Sequence, residues 1–251
     1  MSKDLKFELR EGERLDDLQR DNLKIIQDPS LFCFGIDAIL LSAFAKAKRS
    51  AKILDMCSGN GIIPILLSSR LDASHITALE LQESSCSLAN RSVQGNNLQD
   101  LITVVQGDAK DSRKLFGYNA FDAITVNPPY IKGSNGLNNP NEALNIARHE
   151  IFCSLEDIAR ESAAVLKPGG KIFMIHKPFR LVEIFDCFLR YRLEPKRLRF
   201  IQSKADSEPS MVLVEAALDG GRELKVMPPL IIYKDAGGYT DEVLEIYGVT
   251  Q

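Results

Sequence analysis

The sequence predicts an α/β fold: a doubly wound, seven-stranded and mainly parallel sheet with short N- and C-terminal extensions. From residue 51 onward, short apolar segments rich in β-branched residues alternate with segments of helical length. The first predicted strand ends in a glycine-rich turn, S-G-N-G at residues 58–61. The composition, 45% hydrophobic and 26% charged, is that of an ordinary globular protein.

The seven predicted strands are short and mostly apolar. They cover residues 52–57, 75–81, 102–107, 121–126, 171–176, 197–202 and 211–217. The helices predicted between and beside them cover residues 62–70, 83–95, 111–116, 155–166 and 179–191. The run K-P-G-G at 167–170 is expected to end the helix at 155–166, because a glycine pair favours helix termination.

Two flanking segments complete the predicted organisation. Residues 7–26 are expected to hold one or two short strands, and residues 37–47 form an amphipathic helix. Beyond the sheet, a strand at 230–233 and a helix at 241–247 are expected. We therefore divide the chain into an N-terminal extension (1–35), a central domain (36–220) and a C-terminal extension (221–251) packed on that domain.

Charge and cysteine usage favour a cytoplasmic protein without a metal. The first 17 residues alternate charges and lack an apolar core, so a signal or transit peptide is not expected, and no apolar run is long enough for a membrane span. The five cysteines are scattered and odd in number, which argues for reduced thiols. None of the three histidines has a partner histidine four residues away, so metal catalysis is not expected.

The strand ends carry residues suited to a nucleoside cofactor. Gly59 and Gly61 allow backbone N–H groups to approach a ligand closely. Glu80, 19 residues after Gly61, can accept hydrogen bonds from ribose hydroxyls, and Asp108 can accept one from an adenine amino group. The loop lacks the third glycine of a dinucleotide site, and Asp55 is placed to influence an amino-acid ammonium. S-adenosylmethionine is therefore favoured over NAD.

These motifs together carry a family resemblance. The ordered set of D-M-C-S-G-N-G at 55–61, Glu80, Asp108, N-P-P-Y at 127–130 and K-P-G-G at 167–170 resembles the Rossmann-like class I S-adenosylmethionine-dependent methyltransferases, in their amino-methylating branch. The resemblance implies a set of cofactor-binding residues: Asp55, Cys57, Gly59, Gly61, Glu80, Leu81, Asp108 and Ala109. Cys57 replaces the usual first glycine, and a small side chain is tolerated there if its φ is negative.

Asn127, Pro128, Pro129 and Tyr130 form the predicted catalytic motif. An exocyclic amine or amide nitrogen is a poor nucleophile, because its lone pair is delocalised into the π-system. The Asn127 side-chain oxygen and the Pro128 carbonyl can accept both of its N–H protons and direct the lone pair toward the methyl group. The prolines hold these acceptors rigidly, and Tyr130 offers a face for stacking.

The flanking segments 13–45 and 228–248 look like those of the bacterial tRNA(Val) adenine-37 N6-methyltransferase family. That resemblance implies methylation of an adenine amine in RNA and a cofactor contact for Phe34 and Asp37. A simpler interpretation of Asp37 is a helix N-cap. RNA phosphates are expected to contact the basic segment, which lies between Lys177 and Lys204 and has eight basic and three acidic side chains.

Other functions stay open at this point. A protein glutamine amide presents the same two N–H protons as adenine, and a guanine amine in ribosomal RNA is a third target. A non-catalytic subunit that binds cofactor and RNA belongs to a different class. Arg148, His149 and Glu150 are further candidates for positioning phosphate or the base, and residues 133–145 form a candidate lid.

Overall fold

A computed structural model of the chain describes residues 7–31, 33–128 and 153–249. Strands in these ranges are β1 (Arg14–Asp17), β2 (Lys24–Gln27), β3 (Ala51–Met56), β4 (Ala73–Glu80), β5 (Ile102–Gln106), β6 (Phe121–Val126), β7 (Leu166–His176), β8 (Leu193–Gln202), β9 (Pro209–Leu218), β10 (Lys225–Val226) and β11 (Leu230–Ile231). Helices are α1 (Ile36–Phe44), α2 (Ile62–Arg70), α3 (Glu83–Gly95), α4 (Ser112–Phe116), α5 (Leu155–Val165), α6 (Leu181–Arg190) and α7 (Asp241–Tyr247).

The central sheet confirms the predicted fold class. Its order is β10-β8-β9-β7-β6-β3-β4-β5, with β11 also paired to β8. Strands β7, β6, β3, β4 and β5 are parallel neighbours, whereas β9 runs antiparallel between β7 and β8. Seven strands of five or more residues form the sheet, which agrees with the predicted number, and the two-residue strands β10 and β11 are added at the β8 edge.

Apolar side chains fill a layer on each face of this sheet. Along β3, Ile53 packs in one layer with α1 and α2, whereas the next residue, Leu54, packs in the other with α5 and α6. Successive strand residues point to opposite faces, so a strand that is apolar at both positions is buried on both sides. This explains why the parallel strands contain nearly continuous apolar runs.

The glycine pair at 169–170 does not end a helix, and that prediction was wrong. Helix α5 ends at Val165, and the next residue, Leu166, is already extended and begins β7. The register between β6 and β7 shifts here, since Phe121 pairs with Leu166 but Ala123 pairs with Lys171. Gly169 has a φ of +74°, so the flexible residues accommodate a bulge within the strand.

Both flanking segments pack on the sheet domain. The β1–β2 hairpin is tied to α3, because Ile26 N–H donates to Ser92 Oγ at 2.9 Å and Lys24 N–H donates to Asn96 Oδ1 at 3.0 Å. At the other end, Arg70 Nη2 of α2 donates to the Ile246 carbonyl of α7 at 2.6 Å. The proposed division at residues 35 and 220 stays a prediction.

Candidate active site

The predicted cofactor and substrate residues converge at one edge of the sheet. Strands β3, β4, β5 and β6 are parallel neighbours, so their carboxyl ends lie side by side. We call this the active-site edge. Asp55 lies within the end of β3, Glu80 ends β4, and Asp108 follows β5. Asn127 directly follows β6. Ligands of open α/β sheets bind at such an edge.

The cofactor loop, residues 57–61, takes a left-handed backbone at alternate positions. Gly59 has a φ of +56° and its N–H donates to Glu80 Oε2 at 2.9 Å. Gly61 has a φ of +83° and precedes α2, and a Cβ added there lies 3.0 Å from Ala89 Cβ. Glycine is therefore required at Gly61 both by the backbone and by the close approach of α3.

Asp55 is fully buried and held by its neighbouring strand. Its Oδ1 accepts a hydrogen bond from the Thr125 hydroxyl at 2.6 Å, and the two residues are partners in the β3–β6 register. Burial raises the pKa of Asp55 to about 7, although the hydrogen bond from Thr125 opposes this shift. The pKa of the carboxyl group therefore lies close to neutral pH.

Three buried polar atoms near this loop make no hydrogen bond of normal geometry among the described residues: Asp55 Oδ2, Ser58 Oγ and Asn60 Nδ2. Ser58 and Asp55 still interact, since the Ser58 hydroxyl opposes the raised pKa of Asp55. Buried polar atoms are normally satisfied, so these atoms are available to a ligand or to water. An ammonium can donate to the aspartate, and a carboxylate can accept from the hydroxyl and the amide. The donor set therefore fits the amino-acid end of S-adenosylmethionine.

Glu80 and Asp108 occupy the predicted strand ends and already make local hydrogen bonds. Glu80 Oε1 accepts from Gln82 N–H at 2.9 Å, in addition to the bond from Gly59. Asp108 Oδ1 accepts from Lys110 N–H at 2.9 Å and caps a short 3-10 turn. Beside these carboxylates, Leu81 is exposed and Ala109 is buried. Contacts from these four residues to a nucleoside stay a prediction.

Asn127 is oriented by Asp37, a residue 90 positions earlier in the chain. The Asn127 Nδ2 donates to Asp37 Oδ2 at 3.0 Å, and Asp37 is 8% exposed. A carboxylate accepts but cannot donate, so this contact assigns the nitrogen of the Asn127 amide to the Asp37 side. The amide oxygen, which is the acceptor the proposed chemistry needs, is thereby turned away from Asp37.

Asp37 is not the N-cap of α1, so the simpler interpretation of this residue as a helix N-cap was wrong. The N-cap of α1 is Gly35, and Asp37 lies in the first turn. A Cβ added at Gly35 lies 2.8 Å from Asp37 Oδ1, so glycine leaves room for the carboxylate. Phe34 N–H donates to Gln27 Oε1 at 3.1 Å, which ties the entry of α1 to β2.

Part of the predicted catalytic motif falls within the described residues. Asn127 and the buried Pro128 are described, whereas Pro129 and Tyr130 lie outside the described residues. The candidates Arg148, His149 and Glu150 and the candidate lid at 133–145 also lie outside them. The roles of these residues stay predictions.

Cys57 adopts the left-handed backbone, whereas a side chain at this position was expected to be tolerated if its φ were negative. Its φ is +58°. Its thiol contacts that of Cys153, which precedes α5, and this contact, together with burial, raises the pKa of Cys57. The thiol is therefore held in its neutral form. The position where the family usually has glycine keeps the backbone of a glycine.

We expect Cys57→Gly to be more stable than Cys57→Ala by about 1 kcal/mol, because a Cβ disfavours the left-handed backbone. Both variants lose the thiol and its contact with Cys153, so their difference isolates the backbone term. Thermal or urea unfolding of the two variants measures it. Equal stabilities would mean that residue 57 is not left-handed in solution.

The basic segment is more heavily paired than its sequence suggests. Five of its cations form ion pairs with carboxylates: Arg180 with Glu183, Arg190 with Asp186 and Glu156, Arg192 with Asp219, Arg197 with Glu215, and Arg199 with Glu242. The segment also spans both edges of the sheet. Lys177 follows the carboxyl end of β7, α6 returns to the opposite edge, and β8 brings Lys204 back to the active-site edge.

Several residues at this site were not predicted from the sequence. Thr125 was considered only as a strand residue, and the signal that could have identified it is a hydroxyl level with Asp55 in the neighbouring strand. His176 is 2% exposed at the carboxyl end of β7. Burial lowers the pKa of His176 to about 4, and its Nδ1 accepts from Lys177 N–H at 2.8 Å. It is a neutral imidazole one strand away from Asn127.

Within residues 7–31, 33–128 and 153–249, no helix has both the length and the apolar character that crossing a membrane requires. In the same ranges, no group of three or more histidine, cysteine, aspartate and glutamate side chains has an arrangement that would hold a metal ion.

Comparisons with known proteins agree with this architecture. The profile of the methyltransferase small domain family matches residues 22–187. A Phocaeicola vulgatus protein named tRNA1(Val) (adenine(37)-N6)-methyltransferase is 33% identical over 181 residues, covering 72% of this chain and 74% of the relative. A Porphyromonas gingivalis protein of the same name is 28% identical over 223 residues, covering 84% of this chain and 86% of the relative.

A solved structure gives the same fold. The crystal structure of a predicted O-methyltransferase from Agrobacterium tumefaciens matches with a TM-score of 0.69 and 22% identity, covering 85% of this chain and 96% of that one. The family profile spans more than half of the chain, and the relatives are matched over most of their length. The chain therefore belongs to the methyltransferase small domain family, and it is an S-adenosylmethionine-dependent methyltransferase with a Rossmann-like fold.

Proposed function

We propose that this protein transfers a methyl group from S-adenosylmethionine to the exocyclic N6 of an adenine in RNA, at position 37 of a valine tRNA. The names of relatives that match most of the chain support this substrate. The structural observation that supports the proposal best is the hydrogen bond from Asn127 Nδ2 to Asp37 at the active-site edge. With the nitrogen of the Asn127 amide on the Asp37 side, its oxygen is the end that would meet the substrate.

The residues at the active-site edge suggest how the cofactor would be held. The ammonium of its methionine part would donate to the buried Asp55 carboxylate. The carboxylate of its methionine part would accept from the Ser58 hydroxyl and the Asn60 amide. Glu80 would accept hydrogen bonds from the ribose hydroxyls, and Asp108 would accept one from the adenine amino group. When bound, S-adenosylmethionine supplies an electrophilic methyl group on a sulfonium.

Asn127 would then act on the amine that receives this methyl group. Its side-chain oxygen accepts one N–H of the adenine amine, and the Pro128 carbonyl accepts the other. Both acceptors pull the nitrogen toward sp³ geometry and free its lone pair. Because α1 and β6 hold these groups before substrate binds, little reorganisation is needed in the reaction. The proton leaves after transfer, so no strongly basic side chain is required.

RNA phosphates would contact only the part of the basic segment that lies at the active-site edge of the sheet, and not its whole length. Lys204 is exposed at that edge, whereas Arg190 and Arg192 lie at the opposite edge and are paired with carboxylates. We therefore narrow the expected phosphate contacts to the region of Lys177 and Lys204. The five cysteines are all free thiols, which suits the reducing cytoplasm in which we place the protein.

The experiment that tests this function offers labelled S-adenosylmethionine together with total tRNA, ribosomal RNA or purified release factors. We expect label in N6-methyladenosine of tRNA, identified by nucleoside mass analysis. A glutamine amide presents the same two protons, and so label found only in protein would overturn the proposal. Label in N2-methylguanosine of ribosomal RNA would also overturn it. Asn127→Ala is the control for contaminating enzymes.

A further inference from the structure

Three tyrosines of the C-terminal extension form a stack, which we call the tyrosine stack: Tyr233, Tyr239 and Tyr247. The ring centroids of Tyr233 and Tyr239 are 5.5 Å apart with an interplanar angle of 15°, and those of Tyr239 and Tyr247 are 5.4 Å apart at 17°. Tyr239 is the central ring. Tyr233 ends the stack and is 43% exposed, so an aromatic surface faces solvent.

The sequence Y-K-D-A-G-G-Y at 233–239 builds this stack through a tight turn. Tyr233 and Tyr239 form an antiparallel bridge, and Lys234 N–H donates to the Gly238 carbonyl at 3.0 Å. Gly237 and Gly238 supply the left-handed backbone that the turn needs, with φ of +91° and +77°. Thr240 then caps α7, which carries Tyr247 back against Tyr239. The rings are thus held in place before any partner arrives.

Strand directions place the stack on the same edge of the sheet as Asn127. Strand β8 is antiparallel to β9, which is antiparallel to β7, so β8 runs in the direction of β7 and β6. Strand β11 is parallel to β8 and leads directly to Tyr233. From β6 to β11 there are four strand spacings, about 19 Å in total at ~4.8 Å each. Tyr233 therefore lies beside the active-site edge but beyond the reach of the reacting base.

Lys204 of the basic segment directly follows a residue that is hydrogen-bonded to Tyr233. The Tyr233 N–H donates to the Ser203 carbonyl at 2.9 Å, which brings the neighbouring Lys204 close to the stack. Lys204 is exposed, and the turn that carries it is closed by a hydrogen bond from Ser203 Oγ to Ser207 Oγ at 3.0 Å. An exposed aromatic face beside a cation is the combination that binds unpaired bases, by stacking and by phosphate contact.

We propose that the exposed face of Tyr233 stacks on a second, non-reacting base of the RNA substrate while Lys204 contacts its backbone. This inference rests on the proposed function, because it assumes that the substrate is RNA. The tyrosine stack would then bind the RNA four strand spacings, about 19 Å across the sheet, from the strand that precedes Asn127. It would contribute to RNA affinity and not to the chemistry of methyl transfer.

The test measures affinity of a valine tRNA transcript for Tyr233→Ala and Tyr233→Leu. We expect both variants to bind tRNA at least about five-fold more weakly, while Tyr233→Phe, which keeps the ring, binds like the wild type. Methyl transfer at saturating tRNA and the affinity for S-adenosylmethionine should not change. The leucine variant retains apolar packing on Tyr239, so it tests the proposal even if the alanine variant does not fold.

The matched control is Tyr118→Ala. Tyr118 is 69% exposed and precedes β6, so it lies at the opposite edge of the sheet. The inference is wrong if Tyr233→Leu binds tRNA like the wild type, or if Tyr118→Ala weakens binding equally. If wild-type protein methylates no RNA, the proposed function fails instead, which separates the two results.

Discussion

Asn127→Ala is expected to lower methyl transfer to tRNA by about 100-fold or more while leaving S-adenosylmethionine affinity unchanged. The variant removes an acceptor that acts on the amine in the transition state, and losing one positioned polar group of this kind typically costs 10²–10³ in rate. Cofactor affinity should be retained because the residues proposed to hold the amino-acid end of the cofactor, Asp55, Ser58 and Asn60, belong to β3 and its loop. Single-turnover kinetics and calorimetry measure the two quantities.

Asn90→Ala is the matched control, since Asn90 is an exposed asparagine on α3. Asp37→Ala provides a second test of the mechanism. It leaves Asn127 in place but removes the acceptor that orients its amide, and we expect a smaller loss of rate, about 10-fold. The two losses should not add in the double variant, because Asp37 acts through Asn127. Full additivity, or unchanged transfer by Asn127→Ala, contradicts the proposed role of this pair.

Asp55→Asn is expected to stabilise the cofactor-free protein at pH 8 while weakening S-adenosylmethionine binding. The pKa of Asp55 is raised to about 7 by burial, so between about pH 4 and 7 the folded state keeps a proton that the unfolded state releases. The free energy of unfolding therefore falls as pH rises through this window. The full shift corresponds to a penalty on the order of 4 kcal/mol above pH 7.

The asparagine variant removes that penalty and keeps an oxygen that can accept from Thr125. We expect it to exceed the wild type in stability at pH 8 but to match it near pH 4, as urea unfolding at both pH values would show. Its cofactor affinity should fall at least about 10-fold, since the charged partner of the ammonium is lost. The affinity of the wild type for S-adenosylmethionine should rise between pH 6 and 8, because Asp55 loses its proton in this range. A pH-independent difference in stability would contradict the raised pKa of Asp55.

The local elements of this protein were largely predictable. Helices α2 and α3 and strand β6 were predicted with the bounds that the structure gives, because each has, on at least one side, a glycine or a polar residue of the kind that ends regular structure. The K-P-G-G run was misjudged for a related reason. A glycine pair favours any departure from regular backbone, and only the pairing of β7 with β6 decides that the departure is a bulge.

Residue spacing and backbone propensity were enough to predict the order of strands and helices along the chain, the glycine loop and the series of polar strand ends. They did not predict which distant residues meet. The contact of Asp37 with Asn127, the bond from Thr125 to Asp55 and the left-handed backbone of Cys57 all depend on packing between elements far apart in the chain. Spacing along one chain carries little information about such contacts, since they are set by how α1, β3 and β6 pack together.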